Sequence, residues 1–362
     1  MSRCKLEEFI SYEQPSKYIV NSDQYDDSFE IPVLTAGKSF TLGYTDETNN
    51  IFDNLPVIIF DDFTTSVQFV DFPFKVKSSA MKLLKNTEQA DIKYCYYLLK
   101  FLQHTPENHK RQWLSATSQN IVELPTIEKQ KNIVMKLDKI LEVIDNQNKQ
   151  LELLDEAIKA RFVEMFGTIY DKKFDMKTLP DIVSSDKNSI KRGPFGGALK
   201  KEDFLEDGYM VYEQRHAIHE DFKYAKYYVS PEKYESMIGF KVVPGDLIIS
   251  CSGTLGRIAE VPIGAKEGII NQALLKISLN KDIMNNQFFI YQFRCKEIQD
   301  MLFGISRGSG IANMPSMNEV KAFKFICPPL ELQNQFASFV KEIDKSRLLS
   351  NHSLFLIKSI IF

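Results

Sequence analysis

Between Thr126 and Phe166, apolar positions recur at alternating steps of three and four. Leu137, Ile140, Ile144, Leu151, Leu154, Ile158 and Met165 carry the stripe, with Gln147 and Arg161 as its polar members. That is the period of a coiled-coil seam. Lys139, Glu142, Lys149, Glu152 and Asp155 fall on the other faces. No Gly or Pro interrupts the segment, and Gly167 stands where a helix stop belongs. At 1.5 Å per residue the predicted helix is roughly 60 Å long, too long to stand solvated alone. A second stripe, Phe336, Phe339, Ile343, Leu354, Ile357 and Ile361, offers it a partner.

Both helical stretches open on one six-residue pattern. Pro125-Thr126-Ile127-Glu128-Lys129-Gln130 shares Pro, an aliphatic, Glu and Gln in register with Pro328-Pro329-Leu330-Glu331-Leu332-Gln333, at an offset of 203. Val57-Ile58-Ile59 answers Leu247-Ile248-Ile249 at 190, and Tyr94–Leu99 answers Phe288–Phe293 at 194. Offsets that grow in this way fit one duplicated unit with loop insertions in its second copy. Pro56–Phe60 reads as a short buried strand, Val67–Val76 as a strand broken by Pro73, and Ile92–Leu102 as a core helix. Gly193–Gly197, Pro244-Gly245-Asp246, Ser252–Arg257 and Gly304–Gly310 punctuate the second half as turns and loops.

Composition adds bounds rather than a function. A length of 362 residues suits two domains, and 44% apolar with 26% charged residues is ordinary for a soluble globular chain. The first residues are charged too early for a signal peptide, and no run reaches the roughly 18 apolar residues of a membrane span. Cys4, Cys95, Cys251, Cys295 and Cys327 are odd in number and form no Cys-x-x-Cys, which points to reduced thiols and away from zinc. The expectation is a cytoplasmic protein. The net charge of −3 divides into −5 over residues 1–124 and +2 over 167–328, so any binding of nucleic acid requires local basic faces or help from partners.

Catalytic motifs are not found. No glycine loop matches a phosphate-binding pattern in a strand-to-helix setting. Pro180-Asp181 with Glu319-Val320-Lys321 has only a chance likeness to a nuclease set, because its parts lie far apart and Glu319 reads as a helix start. The five histidines form no metal-binding pair. What remains is a group of loops rich in Arg, Lys, Gln, Ser, Thr and Gly, residues that donate to phosphates and read base edges. In the first half the candidates are Lys38, Ser39, Thr64, Thr65 and Lys77. In the second half they are Lys191, Arg192, Gln214, Arg215, Ser252, Thr254, Arg257, Gln272, Arg307 and Ser309. Any one of these loops alone is unremarkable; their recurrence at matching places favours a shared surface.

The hexapeptides at 125–130 and 328–333 join several other segments. These are Gly245–Ser250 with Gly253-Thr254-Leu255-Gly256, Gly268–Gln272, Gly193–Gly196, and Phe162–Gly167 closing the central helix. Together, and in this order, the chain resembles along essentially its whole length the DNA specificity subunit of Type I restriction–modification systems. The resemblance implies an α+β fold with two similar mixed α/β target-recognition domains, long antiparallel coiled-coil helices between them and a pseudo-two-fold internal repeat. It places the first recognition domain at 1–124, a central helix at 125–167, the second domain at 168–327 and a distal helix at 328–362. It implies double-stranded DNA, two methyltransferase subunits and restriction/translocase subunits as partners. It also implies a chain without catalysis or cofactor of its own: S-adenosylmethionine belongs to the methyltransferase, ATP and Mg to the restriction subunit. From Pro329 to the end is 34 residues against 42 from Pro125 to Phe166, so the distal helix is expected to be shorter. The competing readings are a standalone enzyme acting on DNA and a coiled-coil scaffold with no DNA role.

Overall fold

The computed structural model describes residues 2–37, 39–106, 111–168, 171, 173–304 and 314–361, with side chains in the last helix as far as Leu354, His352 excepted. The chain divides into two compact units, Met1–Asn146 and Gln147–Phe362. The division falls inside the long helix, whereas the sequence reading set that helix apart as its own segment.

Unit 1 contains strands β1 (Ser2–Lys5), β2 (Ile10–Glu13), β3 (Ile31–Leu34), β4 (Thr41–Thr45), β5 (Val57–Asp61), β6 (Val67–Val70), β7 (Lys75–Val76), β8 (Met81–Asn86) and β9 (Ile121–Leu124). Its helices are α1 (Ile92–Phe101), α2 (Gln112–Ser115) and the first part of α3 (Ile127–Phe166). The strands form a sheet β2-β8-β5-β6, a smaller sheet β4-β3-β7 and the pair β1-β9. Strand β5 is buried along its whole length, which explains its unbroken apolar run. Alternation along it sends Ile58 and Phe60 to a core with α1 and Trp113, and Val57 and Ile59 to a core with Phe52 and Phe74. Strand β6 lies at the sheet edge, with the break at Pro73 behind it.

Unit 2 repeats this plan and adds to it. It contains β10 (Met176–Thr178), α4 (Leu179–Ile182), β11 (Ile190–Arg192), β12 (Tyr209–Tyr212), α5 (Gln214–His219), β13 (Tyr228–Val229), α6 (Pro231–Ser236), β14 (Lys241–Val242) and β15 (Leu247–Ser250). There follow β16 (Ile258–Glu260), β17 (Gly268–Ile270), β18 (Leu274–Ile277), α7 (Asn286–Arg294), α8 (Lys296–Phe303), α9 (Met317–Ala322), β19 (Lys324–Ile326) and α10 (Leu330–Ile361). Sheet β11-β18-β15-β16 matches β2-β8-β5-β6 strand for strand, and β10-β19 matches β1-β9. The smaller sheets share a parallel pair, β3 with β7 and β12 with β17, and β14 extends the second of them. Helix α7 stands where α1 does, capped by Asn285 as α1 is by Asp91. Insertions after β15, in the hairpin turn that follows it and between α7 and β19, account for the growing sequence offsets.

Helix α3 runs for 40 residues and α10 for 32. Along α3, Leu137, Ile140, Ile144, Gln147, Leu151, Leu154, Arg161 and Met165 are half-buried and Ile158 is buried, while Lys139, Glu142, Lys149, Glu152 and Asp155 are exposed. Within unit 2, Ile158, Phe162 and Phe166 pack with Phe336 and Val340 of α10, and Phe339 and Ile343 lie against the same cluster. The Phe162 and Phe336 rings meet edge to face at 5.4 Å between centroids. Further on, Arg347 pairs with Asp155. As α10 advances it meets earlier residues of α3, so this stretch of the pair is antiparallel. Gly167, at φ +72°, takes the left-handed conformation that ends α3. The side chains of Ile357 and Ile361 lie outside the described residues.

Candidate nucleic-acid interface

In unit 2 the loops carrying the candidate residues emerge at one end of the two sheets. Strand β15 ends at Ser250 opposite Leu274, and β11 ends at Arg192 opposite Leu275. Strand β12 ends at Tyr212, whose carbonyl accepts the Asn271 N–H at 2.9 Å. Cys251 N–H donates to Ala273 O at 2.8 Å, Gly193 N–H to Leu274 O at 2.8 Å, and Met314 N–H to Cys251 O at 3.3 Å. Arg192, Gln214, Ser252 and Gln272 are thus brought together on backbone that the sheets hold in place.

Unit 1 ends in the same way. Lys77 N–H donates to Leu34 O at 2.9 Å, matching Asn271 on Tyr212, and Asp62 N–H donates to Ala80 O at 3.2 Å, matching Cys251 on Ala273. The hairpins also correspond: Asp61 N–H to Ser66 O and Ser250 N–H to Arg257 O, both 2.8 Å. The unit 2 turn holds two more residues than that of unit 1. The loops read from sequence as recurring therefore leave the fold at equivalent points.

Their side chains differ in what they can offer. The Arg192 guanidinium lies 5.5 Å from the Phe195 ring centroid and within 3.7 Å of Met314 Sδ, with no carboxylate partner among the described residues. Burial lowers its pKa, since the charge loses water without gaining an acid. Lys191 Nζ sits 4.7 Å over the Phe240 ring. Arg215 stacks on Tyr224 at 3.8 Å and pairs with Asp221 at 3.5 Å, so it is already engaged. Arg257 and Thr254 are exposed on the hairpin turn and Gln272 is exposed beside them. Ser252 is half-buried, as is Gln214, whose Oε1 is buried with no hydrogen-bond partner among the described residues.

In unit 1, Ser39 is exposed. Thr64 is exposed, but its hydroxyl donates to Asp61 Oδ2 at 2.6 Å. Thr65 is 2% exposed and donates to His104 O at 2.7 Å, which takes it off the surface and into the hairpin's own structure. Lys77 pairs with Asp23, and the hydrogen bond to that carboxylate raises its pKa. Lys38, Arg307 and Ser309 lie outside the described residues.

Residues that the sequence reading considered and set aside have structural partners. Asp181 caps α4 by accepting the Thr178 N–H at 2.9 Å, and Glu319 caps α9 by accepting the Ser316 N–H at 2.9 Å. His216 is buried, its ring between Glu213 and the Tyr224 carbonyl. Among the described residues no group of three or more His, Cys, Asp or Glu is placed to hold a metal, and no helix is long and apolar enough to cross a membrane. The sequence reading missed the companions of the arginines, namely Phe195, Met314, Asp221 and Tyr224. It also left Gln130 and Gln333 without a role, although their duplication was the available signal.

Comparison with known proteins gives consistent likenesses. Residues 172–357 match the family described as the Type I restriction modification DNA specificity domain. The chain is 44% identical over 146 residues to the Type I restriction enzyme EcoR124I/EcoR124II specificity subunit of Escherichia coli, covering 39% of this chain and 36% of that protein. It is 23% identical over 271 residues to a putative type I restriction enzyme MjaX specificity subunit of Methanocaldococcus jannaschii, covering 69% and 61% respectively. The matches thus span less than two thirds of each relative. In fold, the chain is similar to the Type-I restriction-modification system S subunit from M. genitalium, with a TM-score of 0.61, 15% identity and coverage of 99% of this chain and 93% of that one. It is also similar in fold to a chain from a structure of the type I R-M system concerned with complex assembly and conformational transition. There the TM-score is 0.55 at 14% identity, with 99% and 95% covered.

Proposed function

Because the chain belongs to the family of Type I restriction–modification DNA specificity proteins, we propose that it is the sequence-recognition subunit of such a complex, each unit reading one part of a bipartite, asymmetric DNA target. The observation that carries this reading is the correspondence of the two loop ends: identical backbone anchoring, Lys77 on Leu34 and Asn271 on Tyr212, supports unlike side chains in the two units. Contacts to phosphates set position and contacts to base edges set sequence. Arg192, Lys191, Gln214, Arg215, Ser252, Thr254, Arg257 and Gln272 are the described unit 2 residues offered for those roles, with Ser39, Thr64 and Lys77 in unit 1. The acidic first half is compensated by partners that add phosphate contacts.

On this reading α3 and α10 act as spacer and as docks for two methyltransferase subunits, which restriction/translocase subunits join. S-adenosylmethionine is held by the methyltransferase, ATP and Mg by the restriction subunit, and the complex works in the cytoplasm. Methylome sequencing of the host with and without the gene tests the proposal. The expected result is loss of one motif made of two short unlike half-sites separated by a gap of constant length. Methylation or cleavage by the homogeneous chain, without partners, would overturn it in favour of a standalone enzyme, and an unchanged methylome would favour a scaffold. The helix as ruler has its own test: four residues inserted near Gln147 add about 5–6 Å. At about 3.4 Å of axis per base pair, the gap grows by one or two base pairs and the half-sites stay unchanged.

A further inference from the structure

Gln130 and Gln333 close the duplicated hexapeptides, and both are fully buried, uncommon for a glutamine in the first turn of a largely solvated helix. Gln130 Nε2 donates to Pro125 O at 2.8 Å and to Gln89 O at 3.1 Å, and its Oε1 accepts the Asp91 N–H at 2.8 Å. Gln333 repeats the set: Nε2 donates to Pro328 O at 2.7 Å and to Ile283 O at 3.0 Å, and Oε1 accepts the Asn285 N–H at 2.8 Å. Asp91 and Asn285 are the N-caps of α1 and α7. Their side chains accept the N–H groups of Lys93 and Tyr94, and of Gln287 and Phe288. Each cap serves the helix behind it, and the glutamine takes the cap's own N–H.

Three pieces of chain are joined in this way in each unit: the strand-to-helix joint, the loop before the capped helix, and the cap. The joint itself is short. Strand β9 ends at Leu124 and α3 begins at Ile127; β19 ends at Ile326 and α10 begins at Leu330. Apolar packing would hold the helix there but would permit it to slip, because it has no direction. Three buried hydrogen bonds of good length fix an angle.

Resting on the reading of the units as half-site readers, we propose that Gln130 and Gln333 are positioning residues. Each locks a recognition fold to the first turn of the helix that follows it, so that the angle at which the helix leaves, and not only its length, sets the gap in the DNA target.

The test uses the full complex carrying Gln130→Leu or, separately, Gln333→Leu, with methylome sequencing as the readout. The single gap of the parent becomes a mixture that includes gaps one base pair longer or shorter, with both half-sites unchanged. This ratio is taken among methylated sites, so it does not depend on how much protein accumulates. A merely structural role lowers methylation at the parent gap without creating new ones, and that result overturns the proposal. A second variant, Gln→Glu, keeps the acceptor for the cap N–H and loses both donors to the carbonyls. It is expected to broaden the gap in the same way. Loss of all methylation in both kinds of variant would make the glutamines parts of the fold alone and also overturns the proposal. Failure of the wild-type complex to produce any bipartite motif would instead sink the functional reading on which the proposal rests.

Discussion

In unit 1, Lys75 and Lys82 are each 1% exposed and stand 2.9 Å from Glu47 and 3.1 Å from Asp62. At the matching ladder positions of unit 2 stand Ile269 and Leu275, both fully buried. Near that end of unit 2, Arg192 is half-buried and has no carboxylate partner among the described residues. At these two positions the copies of one backbone frame thus treat positive charge differently, although unit 2 holds a buried pair of its own elsewhere, Lys276 with Asp246 at 3.8 Å. Unit 1 neutralises it internally, and its acids also hold distant loops: Glu47 accepts the Asn21 and Ser22 N–H groups, Asp62 that of Trp113. Unit 2 keeps these core positions apolar and offers a guanidinium at its edge. Since a buried ion pair is often no more stabilising than the apolar pair that would replace it, the difference concerns which loops are tied down and which charge is left to bind.

The strongest break of that comparison is Leu275→Lys. It installs the unit 1 cation where Cys251, not an acid, occupies the place of Asp62, and an unpaired buried ion costs several kcal/mol. Hydrogen exchange of the β15 and β18 amides is expected to lose protection; unchanged protection would mean the two frames are interchangeable. Next is Lys82→Leu, which strands Asp62 and is expected to cost about 3–5 kcal/mol. Urea unfolding followed by the fluorescence of Trp113, the only tryptophan, reports it for unit 1; a cost near zero would mean the Lys82–Asp62 pair does not help to hold unit 1 together.

A third substitution, Arg192→Ala in the assembled complex, should cost about 1–3 kcal/mol and relax one position of one half-site if the guanidinium meets a base edge. A uniform fall across sequences assigns it to phosphate. Unchanged DNA affinity and motif would remove it from the interface. Smallest is Glu47→Gln, because the amide keeps an acceptor oxygen for Lys75, which also donates to Asn49 O at 2.7 Å. Burial pushes the Glu47 carboxyl up, but Lys75 and the N–H groups of Ser22 and Asn21 outweigh that and leave it below its ordinary value of 4.5. A group depressed on folding stabilises above its unfolded value and loses that contribution as pH falls through the folded one. The variant should therefore melt earlier at neutral pH, and the deficit should fade in acid below 4.5. A deficit independent of pH would contradict the ion pair.

Much of the frame was legible because it rests on local periodicity. The three-four stripe predicted α3, Gly167 its end, and the offset of 194 the match of α1 with α7; the offset of 190 found the right strands, β5 and β15, but one residue out of register, since Asp61 and Ser250 hold the same ladder position. The loop ends were legible as places and not as surfaces. Thr65 looked like an exposed hydroxyl, yet its partner is a carbonyl 39 residues away. Arg215 was a base-edge candidate, and spacing did not show that Asp221 and Tyr224 stand beside it. Nothing in spacing marks Lys75 and Lys82 as buried, since a lysine in a strand is ordinarily solvated and only distant acids reverse that. Whether a polar side chain is available depends on tertiary contacts, near as for Arg215 or remote as for Thr65, which periodicity does not encode.

Gly193 sets a limit on how freely such an end can be redesigned. A Cβ there would stand 1.9 Å from the Asn271 carbonyl oxygen and 2.9 Å from the Gln272 Cα, backbone against backbone. No neighbouring side chain can swing aside to make room. A library varied over 191–197 would therefore explore many chemistries on its flanks while losing every member altered at 193. The surface behaves as an alphabet in which the letters are exchangeable and one blank space is compulsory.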